Sequence, residues 1–226
     1  MLSISATNEW KTYHPGAVIG ILELSGVDNT RPSPELDARK RETEARLRER
    51  FAGFARQDFV TLPIMAAYQK YYKRFTKTYH VLQQLESIVL KGKNLPDVSP
   101  LVDSNFIAEM DTLILTAGHD VAKLIPPIIM DVSKSGDTLI RMNGEPKLMD
   151  AGDMVMRDAT GVVCSIIYGQ DNVSPITPST THVLYVAYAP AGVSADVVDE
   201  HLRRIEENVR EFCPNAIKEQ NLLLTA

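Results

Sequence analysis

The amino-acid sequence predicts an α+β protein with a layered mixed or antiparallel sheet and flanking helices. One β-like segment near the N-terminus precedes a long region of helical patterns, which a run of β-like segments and a last helix follow. Regular βαβα alternation is missing, so a doubly wound nucleotide-binding fold is not favoured. The expected organisation is a single domain over residues 1–226, with a charged helical insertion near 31–51 and a C-terminal helix near 194–212.

The first half of the chain reads mainly as helix. Residues Ala17 to Leu24 are rich in branched apolar side chains and predict a buried strand. Arg31 to Phe51 alternates acids and bases around a few apolar residues, which predicts a charged surface helix. Pro63 opens a tyrosine-rich helix, and amphipathic patterns predict two more helices, over Val81 to Leu90 and Ser104 to Leu115.

After Asp120 the pattern becomes that of strands. The segments with strand character are Ile128 to Val132, Thr138 to Met142, Asp153 to Arg157, Val162 to Tyr168 and His182 to Ala189. Asn143-Gly144 and Thr160-Gly161 are typical of the tight turns between such strands. A last helix is predicted from Ser194 to about Phe212, before Pro214.

Composition excludes several classes of protein. With 44% hydrophobic and 23% charged residues the chain is neither disordered nor of low complexity. No apolar run approaches the ~20 residues that span a bilayer, and residues 1–11 lack the pattern of a secretory signal, so we expect a cytoplasmic protein with no membrane partner. Cys164 and Cys213 are expected to be free thiols, and the five histidines show no zinc-ligand spacing, so neither metal nor cofactor is expected.

Charge is distributed unevenly. The stretch from Ala66 to Leu95 carries a net charge of +5, whereas the whole chain carries -5. Such a basic face attracts phosphate, although long basic side chains also commonly solvate helix surfaces. The candidate RNA contacts in this stretch are Lys70, Tyr72, Lys73, Arg74 and Lys77. Either Tyr71 or Tyr72 would stack on an unpaired terminal base.

Two polar clusters interrupt apolar surroundings. His119 and Asp120 follow Gly118, where the histidine would carry a proton near pH 7, or would be a loop residue beside Asp120 capping the next turn. Gln170, Asp171 and Asn172 follow a strand and a glycine, which suits either a ligand site or a polar turn.

Two further segments are weaker candidates. Asp103 and Asn105 flank Ser104, and Asp103 is equally readable as a helix cap. Thr180 and Thr181 belong to a threonine cluster that precedes the strand at His182. None of these motifs is specific by itself.

The order of several segments carries a family resemblance. They are YYKRFTKTYHVLQQLESIVLKGKNLPDVSPLVDSNF, GHDVAKL, GDTLIRMNGEPKLMDAGDMVMRD, GVVCSIIYGQD and ITPSTTHVLYVAY. In this order, over about Tyr68 to Tyr188, the chain resembles the B3/4 domain of the phenylalanyl-tRNA synthetase beta chain, and most closely free-standing proteins made of that domain alone. The resemblance implies a layered α+β fold.

The resemblance also implies an activity and a set of site residues. In the synthetase the domain hydrolyses tRNA-Phe wrongly charged with tyrosine, and the aminoacylation modules are absent here, so synthetase activity is not expected. The family's late threonine corresponds to Thr180 or Thr181, and its carboxylate to Asp171. Phe106 stands where the family has asparagine, which leaves Asn105 as the nearest amide, and Ala117 stands where the synthetase has histidine.

Two functional hypotheses of different classes follow. In the first the protein binds tRNA and hydrolyses mischarged aminoacyl-tRNA in trans, with His119, Asp120 and Asp171 in catalytic roles. Substrate would contact Asp103, Asn105, Gln170, Asn172, Thr180 and Thr181. In the second, the same pocket holds a free amino acid or small metabolite without catalysis. DNA is not expected as a partner in either case.

Overall fold

A computed structural model describes all 226 residues and confirms the α+β class. The helices are α1 Asn8–Tyr13, α2 Pro34–Arg50, α3 Arg56–Phe59, α4 Pro63–Lys73, α5 His80–Val89, α6 Pro100–Thr112 and α7 Ala195–Phe212. The strands are β1 Ile4–Ala6, β2 Val18–Ser25, β3 Thr116–Asp120, β4 Ile128–Val132, β5 Thr138–Ile140, β6 Pro146–Leu148, β7 Met154–Asp158, β8 Gly161–Ser165, β9 Gly169–Gln170, β10 His182–Ala189 and β11 Ile217–Thr225. None of the helices has the length and apolar character needed to cross a membrane.

Two larger sheets form the framework. A four-stranded antiparallel sheet has the order β11-β2-β10-β3, and a five-stranded sheet has the order β1-β4-β7-β8-β9. Only the β1–β4 pair is parallel, so the second sheet is mixed. A small hairpin of β5 and β6 completes the strands.

The burial of strand β2 explains its almost continuous apolar sequence. Seven of its eight residues are buried, because β10 and β11 flank it and α7 packs on its face. A strand covered in this way reads as a continuous apolar run rather than an alternation. A Cβ at Gly20 would lie 2.5 Å from Cγ1 of Val198, so glycine permits the close approach of α7.

The charged helix α2 forms where the sequence predicts it, but one of its faces is buried. Leu36, Lys40, Thr43, Glu44 and Leu47 are each at most 1% exposed. They pack toward α5, α6 and α7. The prediction of a surface helix is therefore wrong for this face, because buried ion pairs let charged residues enter the interior.

Three segments differ from the sequence prediction. Residues 116–120 form a strand rather than a loop, because β3 pairs with β10 over its whole length. The N-terminal strand β1 and the C-terminal strand β11 were not predicted. The residues of β11 are partly or fully exposed, so its sequence does not show the apolar pattern of a buried strand. The segment is a strand because it pairs with β2.

Candidate functional site

A cleft of about 430 Å³ lies between α6, β3 and the β8–β9 hairpin. Ten of its eighteen lining residues are hydrophobic, and none is Asp, Glu, Lys or Arg. Val102 and Phe106 contribute from α6, Ala117 and Gly118 from β3, and Ile176 from the loop that precedes β10. A concave, mostly apolar cavity with a few polar groups is the usual form of a small-ligand site.

Local sequence features shape this cleft. Helix α6 ends at Leu113, which adopts a left-handed conformation at φ 64°, and the chain then enters β3 along the cleft wall. Gly118 lines the cleft, and a Cβ there would lie 2.6 Å from Cδ1 of Ile176. Any side chain at this position would therefore push into the Ile176 wall.

Two buried polar atoms of cleft-lining residues have no hydrogen-bond partner. Asn105 donates from Nδ2 to the carbonyl oxygen of Thr116 at 3.3 Å, and its Oδ1 is unpaired. The hydroxyl of Tyr188, on β10, is also unpaired. Neither atom is satisfied within the protein, so both are free to hydrogen-bond to a ligand that enters the cleft.

Gln170 is the cleft residue with the most constrained side chain. Its Nε2 donates to the carbonyl oxygen of Gly118 at 2.9 Å and lies 3.0 Å from Nδ1 of His119. Its Oε1 makes no intramolecular hydrogen bond. The amide is therefore fixed through its Nε2, and its Oε1 remains free to accept a hydrogen bond from a ligand.

His119 lies behind the cleft wall and does not line the cleft. It is fully buried, and burial lowers the pKa of its imidazole to about 3. Nδ1 lies 2.8 Å from Oγ of Ser174, which donates to Oδ1 of Asp171 at 2.6 Å. The structure thus brings His119, Gln170 and Asp171 together in one hydrogen-bonded network. Because successive residues of a strand point to opposite sides, Gly118 of β3 faces the cleft and His119 lies behind it.

Asp120 and Thr180 also lie away from the cleft. Oδ1 of Asp120 accepts from the backbone N–H of Ala122 and caps a short 3-10 turn, while Oδ2 accepts from Thr180 at 3.0 Å. Of the candidate residues His119, Asp120, Gln170, Asp171 and Thr180, only Gln170 lines the cleft. The capping alternative for Asp120 is confirmed. Thr181 and Asn172 are exposed and do not line the cleft either.

Asp103 belongs to an ion-pair cluster rather than to the cleft. Lys40, fully buried, donates from Nζ to Oδ2 of Asp103 at 2.7 Å. Nζ also contacts Asp97 and lies 3.2 Å from Oδ1 of Asp37. The ammonium of Lys40 thus lies among three carboxylates that approach one another within 4.8 Å. Oδ1 of Asp103 accepts from the backbone N–H of Val98, a cleft-lining residue, so the cluster supports the cleft wall.

The basic stretch remains unpaired. Thirteen of the 24 lysines and arginines form ion pairs, but none of those between Ala66 and Leu95 does. Lys70, Lys73 and Lys77 are exposed. Tyr72 is instead fully buried and donates to the carbonyl oxygen of Ile166 at 2.7 Å, so its predicted stacking on a base is wrong. The tyrosine periodicity of α4 comes from core packing.

Sequence reasoning missed the buried carboxyl groups close to the cleft. Glu109 accepts from the backbone N–H of Thr116 at 2.7 Å, and burial raises its pKa to about 8. Asp153 accepts from Tyr71 at 2.6 Å and from the cleft residue Ser165, and burial raises its pKa to about 6. A carboxyl group beside apolar residues gives no sequence signal by itself. The position of Glu109, one helical turn after Asn105, is the only pointer available.

The protein combines a layered α+β fold with a mostly apolar cleft of the form usual for small-ligand sites. The B3/4 domain family matches residues 65–214, about two thirds of the chain, so the protein belongs to that family. No curated protein matches the sequence.

Among solved structures, the chain is similar to a crystal structure of an N-terminal fragment of the phenylalanyl-tRNA synthetase beta-subunit from Pyrococcus horikoshii. The two are 9% identical in sequence, with a TM-score of 0.49. The comparison covers 97% of this chain and 54% of that chain, so the protein spans about half the length of the fragment.

Proposed function

We propose that this protein is a tRNA-binding, editing-like module that hydrolyses mischarged aminoacyl-tRNA in trans. The observation that carries the proposal is the cleft, in which Asn105 Oδ1 and the Tyr188 hydroxyl are buried and unpaired within apolar walls. Membership of the B3/4 family supports the same assignment. The apolar surface would hold an amino-acid side chain, and the two polar atoms would recognise its polar groups.

The charge of the cleft favours an ester over a free amino acid. A free amino acid carries a carboxylate, and no lysine or arginine lines the cleft to balance it. Burying an unpaired carboxylate is very costly. In an aminoacyl ester that carboxyl group is uncharged, so an aminoacyl-tRNA avoids this cost. Its α-ammonium group would meet the amide oxygen of Asn105.

Catalysis would proceed by positioning of water rather than by a strong base at the cleft. Oε1 of Gln170 is free to accept a hydrogen bond from water and so to orient the water's lone pair toward the ester carbonyl. An amide does not deprotonate water, and the low pKa of His119 keeps that buried imidazole neutral. His119 and Asp171 are therefore positioning residues in this proposal: His119 contacts Nε2 of Gln170 directly, and Asp171 acts on Gln170 through Ser174.

The tRNA would approach over the unpaired basic stretch. Lys70, Lys73 and Lys77 are exposed cations without carboxylate partners, which suits contact with phosphates. Tyr72 has no part in this contact, because it is buried.

A deacylation assay with a panel of mischarged tRNAs tests the proposal. We expect hydrolysis of at least one aminoacyl-tRNA by the wild type, and Gln170→Ala to lower the rate by about 100-fold, the loss typical of a misplaced reactant. Asn172→Ala is the matched control, since this exposed amide two residues away lies outside the cleft. Equal losses in the two variants would contradict the role of Gln170.

The assay also separates the hydrolase from the binding hypothesis. If the wild type hydrolyses none of the aminoacyl-tRNAs, calorimetry with free amino acids is the next measurement. Binding that Asn105→Ala weakens would assign the cleft to a non-catalytic amino-acid-binding module. Hydrolysis by the wild type without detectable binding of free amino acids would support the ester specificity argued above.

A further inference from the structure

A second cavity of about 280 Å³ lies beside helix α4, and it shares no lining residue with the cleft. Lys70 and Tyr71 line it from α4 and Arg74 from the end of that helix, while Tyr13, the last residue of α1, and His14 line it from the other side. Two of its eleven lining residues are cations, and none is a carboxylate. The cavity therefore has a positive wall without compensating charge.

Arg74 is held in place without an acidic partner. Its Nη2 donates to the carbonyl oxygen of Gly152 at 3.1 Å. Its guanidinium carbon lies 5.2 Å from the ring centre of Tyr71, 5.4 Å from that of Phe75 and 5.5 Å from that of Tyr13. Aromatic faces orient a guanidinium without consuming its N–H groups. Arginine has five N–H donors, so most remain available for an oxyanion.

Glycine at position 152 is required for this wall. Gly152 has φ +93°, which disfavours other residues, and a Cβ there would overlap the hydroxyl of Tyr13. Gly152 therefore accepts a hydrogen bond from Arg74 through its carbonyl oxygen and, because it has no side chain, leaves room for Tyr13 beside it. This arrangement fixes the guanidinium before any ligand binds.

Lys70 adds a second, exposed charge. It lies one helical turn before Arg74, on the same side of α4, and is exposed. It forms no ion pair. An arginine with free donors and a nearby lysine is the pairing that proteins use to bind phosphate groups.

His14 is a buried polar residue at this cavity. It is 6% exposed, and its Nε2 has no hydrogen-bond partner. Burial, and then the charge of Arg74, lower the pKa of its imidazole to about 4. The imidazole is therefore neutral at pH 7 and adds an unpaired polar atom next to the two cations. The buried carboxyl of Asp153 lies behind Tyr71, which donates to it.

We propose that this second cavity is a phosphate-binding site, with Arg74 as the fixed hydrogen-bond donor and Lys70 as the accompanying charge. The phosphate would belong either to a free nucleotide or to the backbone of a tRNA. The proposal goes beyond the deacylase assignment, because phosphate binding here does not require hydrolysis in the cleft.

Calorimetry with inorganic phosphate and with AMP tests the free-nucleotide source. We expect Arg74→Gln and Lys70→Gln each to weaken binding by about tenfold or more, as for loss of a charge-assisted hydrogen bond. Lys123→Gln is the matched control, since Lys123 is exposed and forms no ion pair but lies outside both the basic stretch and the cavity. Its affinity should stay within about twofold of the wild type.

Filter binding of uncharged tRNA over a range of salt concentrations tests the other source. Loss of one phosphate contact should reduce the log-log salt slope by about 0.7 to 0.9 in Arg74→Gln and in Lys70→Gln. Lys123→Gln should leave the slope close to that of the wild type. Dependence on Arg74 and Lys70 for tRNA, without binding of phosphate or AMP, would identify a backbone phosphate as the ligand.

Two outcomes overturn the proposal. The first is an equal effect of all three substitutions, which would reduce the cavity to a general basic surface. The second is the absence of any effect of Arg74→Gln and Lys70→Gln on either class of ligand. Circular dichroism shows whether each variant is folded, and if Arg74→Gln is not, the exposed Lys70→Gln decides. Neither outcome depends on the deacylation assay.

Discussion

The contact between Lys40 and Asp103 is the strongest test of how the charged helix α2 is held. Lys40→Met removes the ammonium but keeps an unbranched side chain of similar length. It leaves the 5%-exposed Asp103 carboxylate with the Val98 N–H as its remaining partner. Breaking a buried pair by removing one partner typically costs 3–5 kcal/mol, and the retained hydrogen bond favours the lower end, so we expect a loss of about 3 kcal/mol.

The other contacts of Lys40 add little to this figure. The side chains of Asp37 and Asp97 are 54% and 75% exposed, and exposed ion pairs contribute at most about 1 kcal/mol. Arg39→Met is the matched control, because Arg39 on the same helix forms an exposed pair with Glu211. We expect that substitution to cost less than about 1 kcal/mol.

Urea denaturation followed by circular dichroism measures these free energies of unfolding. A double-mutant cycle with Asp103→Asn isolates the pair, since removal of both charges leaves no buried ion without a partner. The double variant should be more stable than the two single losses predict by about 2 kcal/mol. The reasoning is refuted if Lys40→Met costs no more than Arg39→Met, or if the two losses simply add.

Three further predictions concern buried titratable groups. Between pH 4.5 and about 8 the folded state keeps a proton on Glu109 that the unfolded state releases, so the free energy of unfolding should fall as pH rises through this range, by at most roughly 5 kcal/mol. Glu109→Gln should flatten this pH dependence in urea denaturation. An unchanged slope in that variant would contradict the prediction. Burial raises the pKa of Cys164 to about 12, so it should react with a thiol reagent only after unfolding, and fast labelling of the native protein at this residue, distinguished by Cys213→Ser, would be the contrary result. Tyr71→Phe removes a donor to the buried Asp153 and should lower the free energy of unfolding by about 2 kcal/mol in urea, an expectation that a neutral substitution would exclude.

Local patterns in the sequence determined most of the secondary structure. The strand His182–Ala189 and the helix ending at Phe212 lie where apolar periodicity and Pro214 predict them. The helix has one apolar face and the strand is an almost unbroken apolar run, and both patterns can be read from the spacing along the chain. The family resemblance rests on the same local information, as an order of short segments that the match over residues 65–214 confirms.

Only the tertiary structure decided which polar residues reach the cleft. His119 and Gly118 are adjacent in sequence, and which of them faces the cleft depends on β3 pairing with β10, more than sixty positions away. Asp103 and Asn105 are only two positions apart in sequence, yet Lys40 pairs with Asp103 while Asn105 keeps an unpaired oxygen at the cleft. Sequence reports which groups a segment carries, whereas the partners that satisfy or leave those groups free come from distant segments. Because hydrogen bonds and ion pairs join segments that are distant in sequence, the residues of the site could be identified only from the folded structure.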